Sequence, residues 1–243
     1  MNSDQHHIAS AFDRDLEDIQ ALVMKMGGLV EDSIKQGAKA LKSRDTELAE
    51  KVRHADKRID ELEEQINLDC ARVIALRQPI AGDLRTVLTV IKISSNLERI
   101  GDYAKNLAKR TAVLAELPAV DGGASAIKRM AREVQNMLSD VLDAYIRRDA
   151  AMAHDVRQRD VEVDQMYNAL FREFLTFMME DPRNITPCMH LHFIAKNIER
   201  AGDHVTSIAD QVIYLVTGVM PDEARPKDTA QNYDASQYTE FDG

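Results

Sequence analysis

The chain has 243 residues, 44% of them hydrophobic and only 5% aromatic, with no Trp, ten Gly and six Pro. That profile favours helices over sheets, which carry more aromatic and β-branched residues. The formal net charge of −10 comes from 41 acidic and 31 basic residues with no basic run, which argues against nucleic acid as a partner. The N-terminus, Met1 to His7, lacks an apolar signal core, and Val212 to Val216 is far too short to span a bilayer. Cys70 and Cys188 sit in unrelated apolar contexts and read as buried free thiols. A cytoplasmic protein is expected.

In chain order, apolar positions stepping by threes and fours predict helices near 10–42, 46–77, 83–113, 125–147, 150–180 and 185–218. Breakers fall between them at Arg44-Asp45-Thr46, Pro79 to Gly82, Leu117-Pro118 to Gly122-Gly123, Arg148-Asp149 and Asp181-Pro182. The tail from Pro221 to Gly243 has no apolar period and is expected to be disordered. The fold class is therefore all-α, with six long helices.

The first three helices recur in the second three. Leu48, Val52, Ile59, Leu62 and Ile66 correspond to Met152, Val156, Val163, Met166 and Leu170 at a spacing of 104, as Arg44-Asp45 does to Arg148-Asp149. Asn96-Leu97-Glu98-Arg99-Ile100-Gly101-Asp102 returns as Asn197-Ile198-Glu199-Arg200-Ala201-Gly202-Asp203 at a spacing of 101, with five of seven positions identical. The expected architecture is two tandem pseudo-symmetric antiparallel three-helix bundles, 10–116 and 124–220, with the tail 221–243 outside them.

A duplicated core explains the apolar positions but not the acids. Glu98 and Asp102 lie four apart, hence on one helix face about 6 Å from each other, and so do Glu199 and Asp203. Asp56 and Asp60 recur as Asp160 and Asp164. Short turns force antiparallel neighbours, and the hairpins turning at Pro79 and at Asp181-Pro182 bring each Asp pair level with its Glu/Asp pair. Four carboxylates at one height, twice over, suit hard cations such as Mg²⁺, Mn²⁺, Ca²⁺ or iron. The stripe Leu97, Ile100, Ala104 and Leu107 points away from Glu98 and Asp102, placing each site on the flank or outer surface of a bundle, open to water or a partner. Arg99 and Arg200 read as charge partners of the acids, and His192, His204 and Glu31 as neighbours of the sites at most. No Glu-x-x-His stands on these faces, no Cys/His cluster has zinc spacing, and no nucleophile motif or phosphate-binding loop occurs. A metal-binding adaptor fits best; the alternative from another class is a metal-dependent phosphohydrolase using surface metals as Lewis acids.

With Arg77-Gln78-Pro79-Ile80-Ala81-Gly82-Asp83-Leu84-Arg85 ahead of the first Glu/Asp motif, residues 10–220 resemble the PhoU family of bacterial phosphate-transport regulators. The resemblance implies a duplicated three-helix bundle that is not an enzyme. It also implies multinuclear clusters of Mg, Mn or Fe on the acidic pairs, and a homodimer. The implied partners are the phosphate ABC transporter, on its ATPase side, and a phosphate-sensing histidine kinase, with membrane association only through them. The implied role is repression of the phosphate-starvation response in high phosphate. The second turn, Asp181-Pro182-Arg183-Asn184, lacks the Gln-Pro-Ile-Ala-Gly-Asp signature of the first, so the two sites are expected to differ.

Overall fold

A computed structural model of the chain describes residues 2–221, with side chains from residue 12 onward. The tail expected to be disordered lies outside the described residues apart from Pro221. Six helices follow one another: α1 Asn2–Ser43, α2 Thr46–Arg77, α3 Ala81–Ala115, α4 Gly123–Arg147, α5 Ala150–Glu180 and α6 Ile185–Thr217, with a 3₁₀ turn at Pro182–Asn184 before α6. The described residues contain no strand. The largest departure from the sequence expectation is α1, which begins at Asn2 rather than near residue 10.

The repeated Arg-Asp dipeptides are turn devices. Arg44 and Arg148 take the left-handed conformation, φ 56° and 52°, that ends one helix. The following Asp45 and Asp149 then cap the next, their Oδ1 atoms accepting from Leu48 N at 2.9 Å and Met152 N at 3.0 Å. Arg44 does more than its counterpart: its Nη2 donates to the carbonyls of Leu114, Ala115 and Leu117, satisfying the C-terminal end of α3.

Within each half the three helices pack on one another; between halves only α1 with α4 and α3 with α6 meet, leaving α2 and α5 outermost. Arg85 stacks over Tyr214, Asn96 meets His204, and Arg110 meets His190, so α3 and α6 run antiparallel along their length. One hydrophobic cluster runs through both halves, from Val23 and Ile59 to Phe174 and Val212. Cys70 and Cys188 are buried in it as free thiols. No helix among the described residues is long and apolar enough to cross a membrane.

The outer hairpin of the second half leaves large apolar side chains uncovered: Phe171, Leu175 and Met179 on α5, and Ile185, Met189 and Phe193 on α6. Each set steps by four along its helix, so the two form facing stripes about the Asp181 turn.

Candidate metal centres

The α2/α3 hairpin brings the four predicted carboxylates of the first half together. Asp56 is buried at 3% exposure, Asp60 is exposed, and Glu98 and Asp102 are half-buried. Their charges act on one another. Burial and then Asp102 push the Glu98 carboxyl up to about 7, with smaller contributions from Glu63 and Asp60. Asp60 is raised as well, by burial first and then by Asp56, with Asp102 adding to it. A cation already answers this repulsion: the Lys105 ammonium contacts Asp56 Oδ2 and lies 3.5 Å from Asp102 Oδ1. Arg99 is a looser partner, 3.6 Å from Glu98 and 4.0 Å from Asp102.

The α5/α6 hairpin repeats the arrangement with other residues in support. Asp160 and Glu199 are buried at 9% and 8% exposure, Asp164 is half-buried and Asp203 exposed. Burial raises Glu199; Lys196 opposes the rise, while Asp203 and Asp164 add to it. Lys196 Nζ is 2.6 Å from Glu199 Oε1 and lies over the Tyr167 ring, 5.1 Å from its centroid. The other oxygen, Glu199 Oε2, is buried without a hydrogen-bond partner.

Glycine makes both clusters possible. A Cβ at Gly101 would stand 3.1 Å from Ile59 Cδ1 and 3.7 Å from Asp56 Oδ1; one at Gly202 would stand 3.1 Å from Asp160 Oδ1. At Gly202 the missing side chain lets the Asp160 carboxylate lie against the helix that carries the Glu/Asp pair; at Gly101 it makes room for Ile59, with Asp56 at an ordinary contact distance.

The structure adds detail to the sequence expectations at four points. The clusters are not simply open to water: Asp56, Asp160 and Glu199 are buried, because the neighbouring helices pack tightly at the glycines. Glu31 faces the other half, its carboxyl raised by burial and by Asp143 of α4. His204 belongs to the α3/α6 seam, its Nδ1 2.8 Å from Asn96 Oδ1. His192 sits among Tyr167, Phe171 and Phe193, with burial lowering its pKa. Sequence reasoning missed Glu63, Lys105 and Lys196. Their repeat counterparts are Tyr167, Thr206 and Ser95, so the duplication that exposed the other acids gave no signal for them.

Does the donor set fit a metal? Four carboxylates from two rigid helices, one buried oxygen without a partner and a glycine cradle make a hard-cation site in chemistry. Among the described residues, however, no three such groups already stand around one point as ligands. Lysine ammonium groups contact Asp56 and Glu199 instead, so a metal ion would have to displace Lys105 and Lys196.

Two stretches, 23–111 and 127–212, each match the family model described as the PhoU domain. The chain belongs to the PhoU family. It is 46% identical over 229 residues to the phosphate-specific transport system accessory protein PhoU homolog of Rhizobium meliloti, covering 91% of this chain and 94% of that one. The homolog of the same name from Pseudomonas aeruginosa is 40% identical over 213 residues, 88% of each chain. The crystal structure of PhoU from Pseudomonas aeruginosa superposes with a TM-score of 0.83 at 40% identity, covering 86% of this chain and 100% of that one. The phosphate transport system regulatory protein PhoU from Streptococcus pneumoniae gives 0.80 at 30% identity, over 87% and 99%. The two family matches fall on the two halves of this PhoU-family chain and contain both carboxylate clusters.

Proposed function

We propose that this chain is a metal-binding regulator of phosphate uptake that acts through protein contacts. Its partners are the phosphate ABC transporter and a sensor histidine kinase, and it represses the phosphate-starvation response when phosphate is plentiful. It works in the cytoplasm as a homodimer. Asp56, Asp60, Glu98 and Asp102 hold the first metal centre, and Asp160, Asp164, Glu199 and Asp203 the second. Mg, Mn or Fe, bound there, supplies positive charge that fixes the two helices of each hairpin. The observation that carries the reading is the doubled cluster: a buried Asp against a glycine, facing a Glu/Asp pair, at matching places in both halves of a PhoU-family fold. The relatives' names, accessory proteins of the phosphate-specific transport system, support the transport setting. The uncovered apolar residues on α5 and α6 support a role exercised through contacts, since patches of that kind mark interaction surfaces.

The deciding experiment deletes the gene and complements it with wild type or with Glu98→Ala/Asp102→Ala and Glu199→Ala/Asp203→Ala. Deletion is expected to release alkaline phosphatase in high phosphate, and wild type to silence it. Each double substitution is expected to remove metal from its own half only. Silent phosphatase in the deletion strain refutes the regulatory role, and unchanged metal content in both variants refutes the metal centres.

A further inference from the structure

A second charged feature lies away from the carboxylate clusters, between α1 and α4, where the first helices of the two halves meet. There a cavity of about 160 Å³ is lined by Lys35, Lys39, Lys128, Arg132 and Gln135 over a floor of Ala38 and Ala131. The two alanines are buried; Lys35, Lys39 and Arg132 are exposed at the rim. Among the described residues, none of the four cations forms a salt bridge or side-chain hydrogen bond. Of the nearby acids on the same helices, Asp32 accepts from Gln36, Glu133 pairs with Arg159, and Glu31, four residues before Lys35, forms no salt bridge with it and is turned toward Asp143. Four convergent cations thus stand without a counter-ion among the described residues, on a chain with net charge −10.

The duplication supplies an internal control. At a spacing of 104, buried Met26, Val30 and Ile34 match buried Met130, Val134 and Leu138, so the helices share one register. In that register Ala38 facing Ala131 corresponds to Leu142 facing Gly27. There the leucine fills the space: a Cβ on Gly27 would lie 2.5 Å from Leu142 Cδ1. At Ala38 and Ala131 the same place is left open. The charges differ too. Lys35, Lys39, Lys128 and Arg132 stand where the other flank of the seam has Ser139, Asp143, Met24 and Gly28, and Gln135 where it has Glu31. Neither the void nor its charge is inherited from the repeat.

We propose that this groove binds a compact, multiply charged phosphate-bearing anion. Three ammonium groups attract charge without regard to shape, while the Arg132 guanidinium and the Gln135 amide donate directionally to phosphate oxygens. The volume, below the usual ~300–1,000 Å³ of a drug-sized site, suits a short phosphate chain. Extended polyanions are disfavoured: beyond a screening length of about 8 Å they meet the acidic remainder of the surface. The proposal is independent of the metal centres and of the transport role.

The test is calorimetric titration of the full-length protein with sodium tripolyphosphate, with and without prior EDTA treatment so that chelation is accounted for. Wild type is expected to bind, more weakly as salt rises. Lys35→Gln/Arg132→Gln should weaken binding on the order of 100-fold, roughly tenfold for each lost charged contact. Lys51→Gln/Lys109→Gln, an equal charge change on exposed lysines of α2 and α3, should leave it within about threefold of wild type. Ala38→Leu/Ala131→Gly copies the Leu142/Gly27 pair, fills the groove with its charges intact, and should also abolish binding; circular dichroism confirms folding of each variant. The proposal is overturned if wild type does not bind, if either groove variant binds like wild type, or if the control loses as much as Lys35→Gln/Arg132→Gln. It is equally overturned if phosphatidylglycerol vesicles, and not tripolyphosphate, show the groove-dependent binding, because the face would then be a membrane contact.

Discussion

Replacing Glu98 with Gln should stabilise the metal-free protein at pH 8 and do nothing at pH 4.5. In the folded chain the Glu98 carboxyl titrates near 7 rather than 4.5, because burial and Asp102 disfavour its charge. A raised carboxyl binds its proton more tightly folded than unfolded. Its contribution is therefore fully present below pH 4.5 and is lost as pH rises through 7. Unscreened, a rise from 4.5 to about 7 corresponds to roughly 3.4 kcal/mol. The side chain is 20% exposed and its Arg99 partner 60%, so solvent screening reduces the effect to about 1–2 kcal/mol. Glutamine keeps the shape of the protonated acid and never ionises, so it recovers that amount above pH 7. For a chain of this size 1 kcal/mol moves Tm by about 2–4 °C, so a gain of roughly 2–8 °C is expected at pH 8. The assay is thermal unfolding by circular dichroism in EDTA at both pH values. An equal shift at both, or a loss of stability at pH 8, would refute the claim that Glu98 carries a burial and repulsion penalty. Added Mn²⁺ should reverse the order at pH 8, since a ligand at 100 times its Kd adds about 2.7 kcal/mol to the protein that binds it.

Two further comparisons use the repeat and the helix glycines. Gly28→Ala meets no atom within 4 Å and should gain about 1 kcal/mol of helix propensity, whereas Gly202→Ala drives a methyl to 3.1 Å from Asp160 Oδ1 and should lose that gain or more; denaturant midpoints that rise equally in both would show the Gly202 contact to be slack. Arg44→Ala should destabilise by about 1–3 kcal/mol because it strips two α3 carbonyls and that of Leu117 of a charged donor, while Arg148→Ala should change stability by less than about 0.5 kcal/mol. Equal losses in urea unfolding would refute a special role for Arg44.

What the sequence made legible was whatever the duplication wrote twice. The Arg-Asp turns, the apolar stripes and the eight clustered acids recur at 101 or 104 residues, and the structure brings each set of four acids together. Depth was not legible: periodicity places Asp56 and Asp160 on a helix face but cannot tell that a facing glycine lets the neighbouring helix cover them. The basic groove was invisible for another reason. Its cations come from α1 and α4, some 90 residues apart in sequence, two or so per helix, so no stretch of chain is conspicuously basic.

The divergences between the halves carry as much physical content as the matches. Both halves keep the acids and the glycine, yet the cation that balances them comes from different places: Lys105, three residues after Asp102, in the first, and Lys196, three before Glu199, in the second. Carboxylates that raise one another's pKa need positive charge wherever water is excluded. Each half accordingly has a lysine at its cluster, at a different position in the repeat. The same logic separates the two charged features of the molecule. The acidic clusters hold their own counter-ions in the metal-free protein, so an incoming cation must compete with a tethered ammonium. Among the described residues the α1/α4 groove holds none, so an incoming anion meets no competitor from the bundle itself. Affinity at the clusters should accordingly depend on Lys105 and Lys196 as competitors, and affinity at the groove on its own cations and on ionic strength.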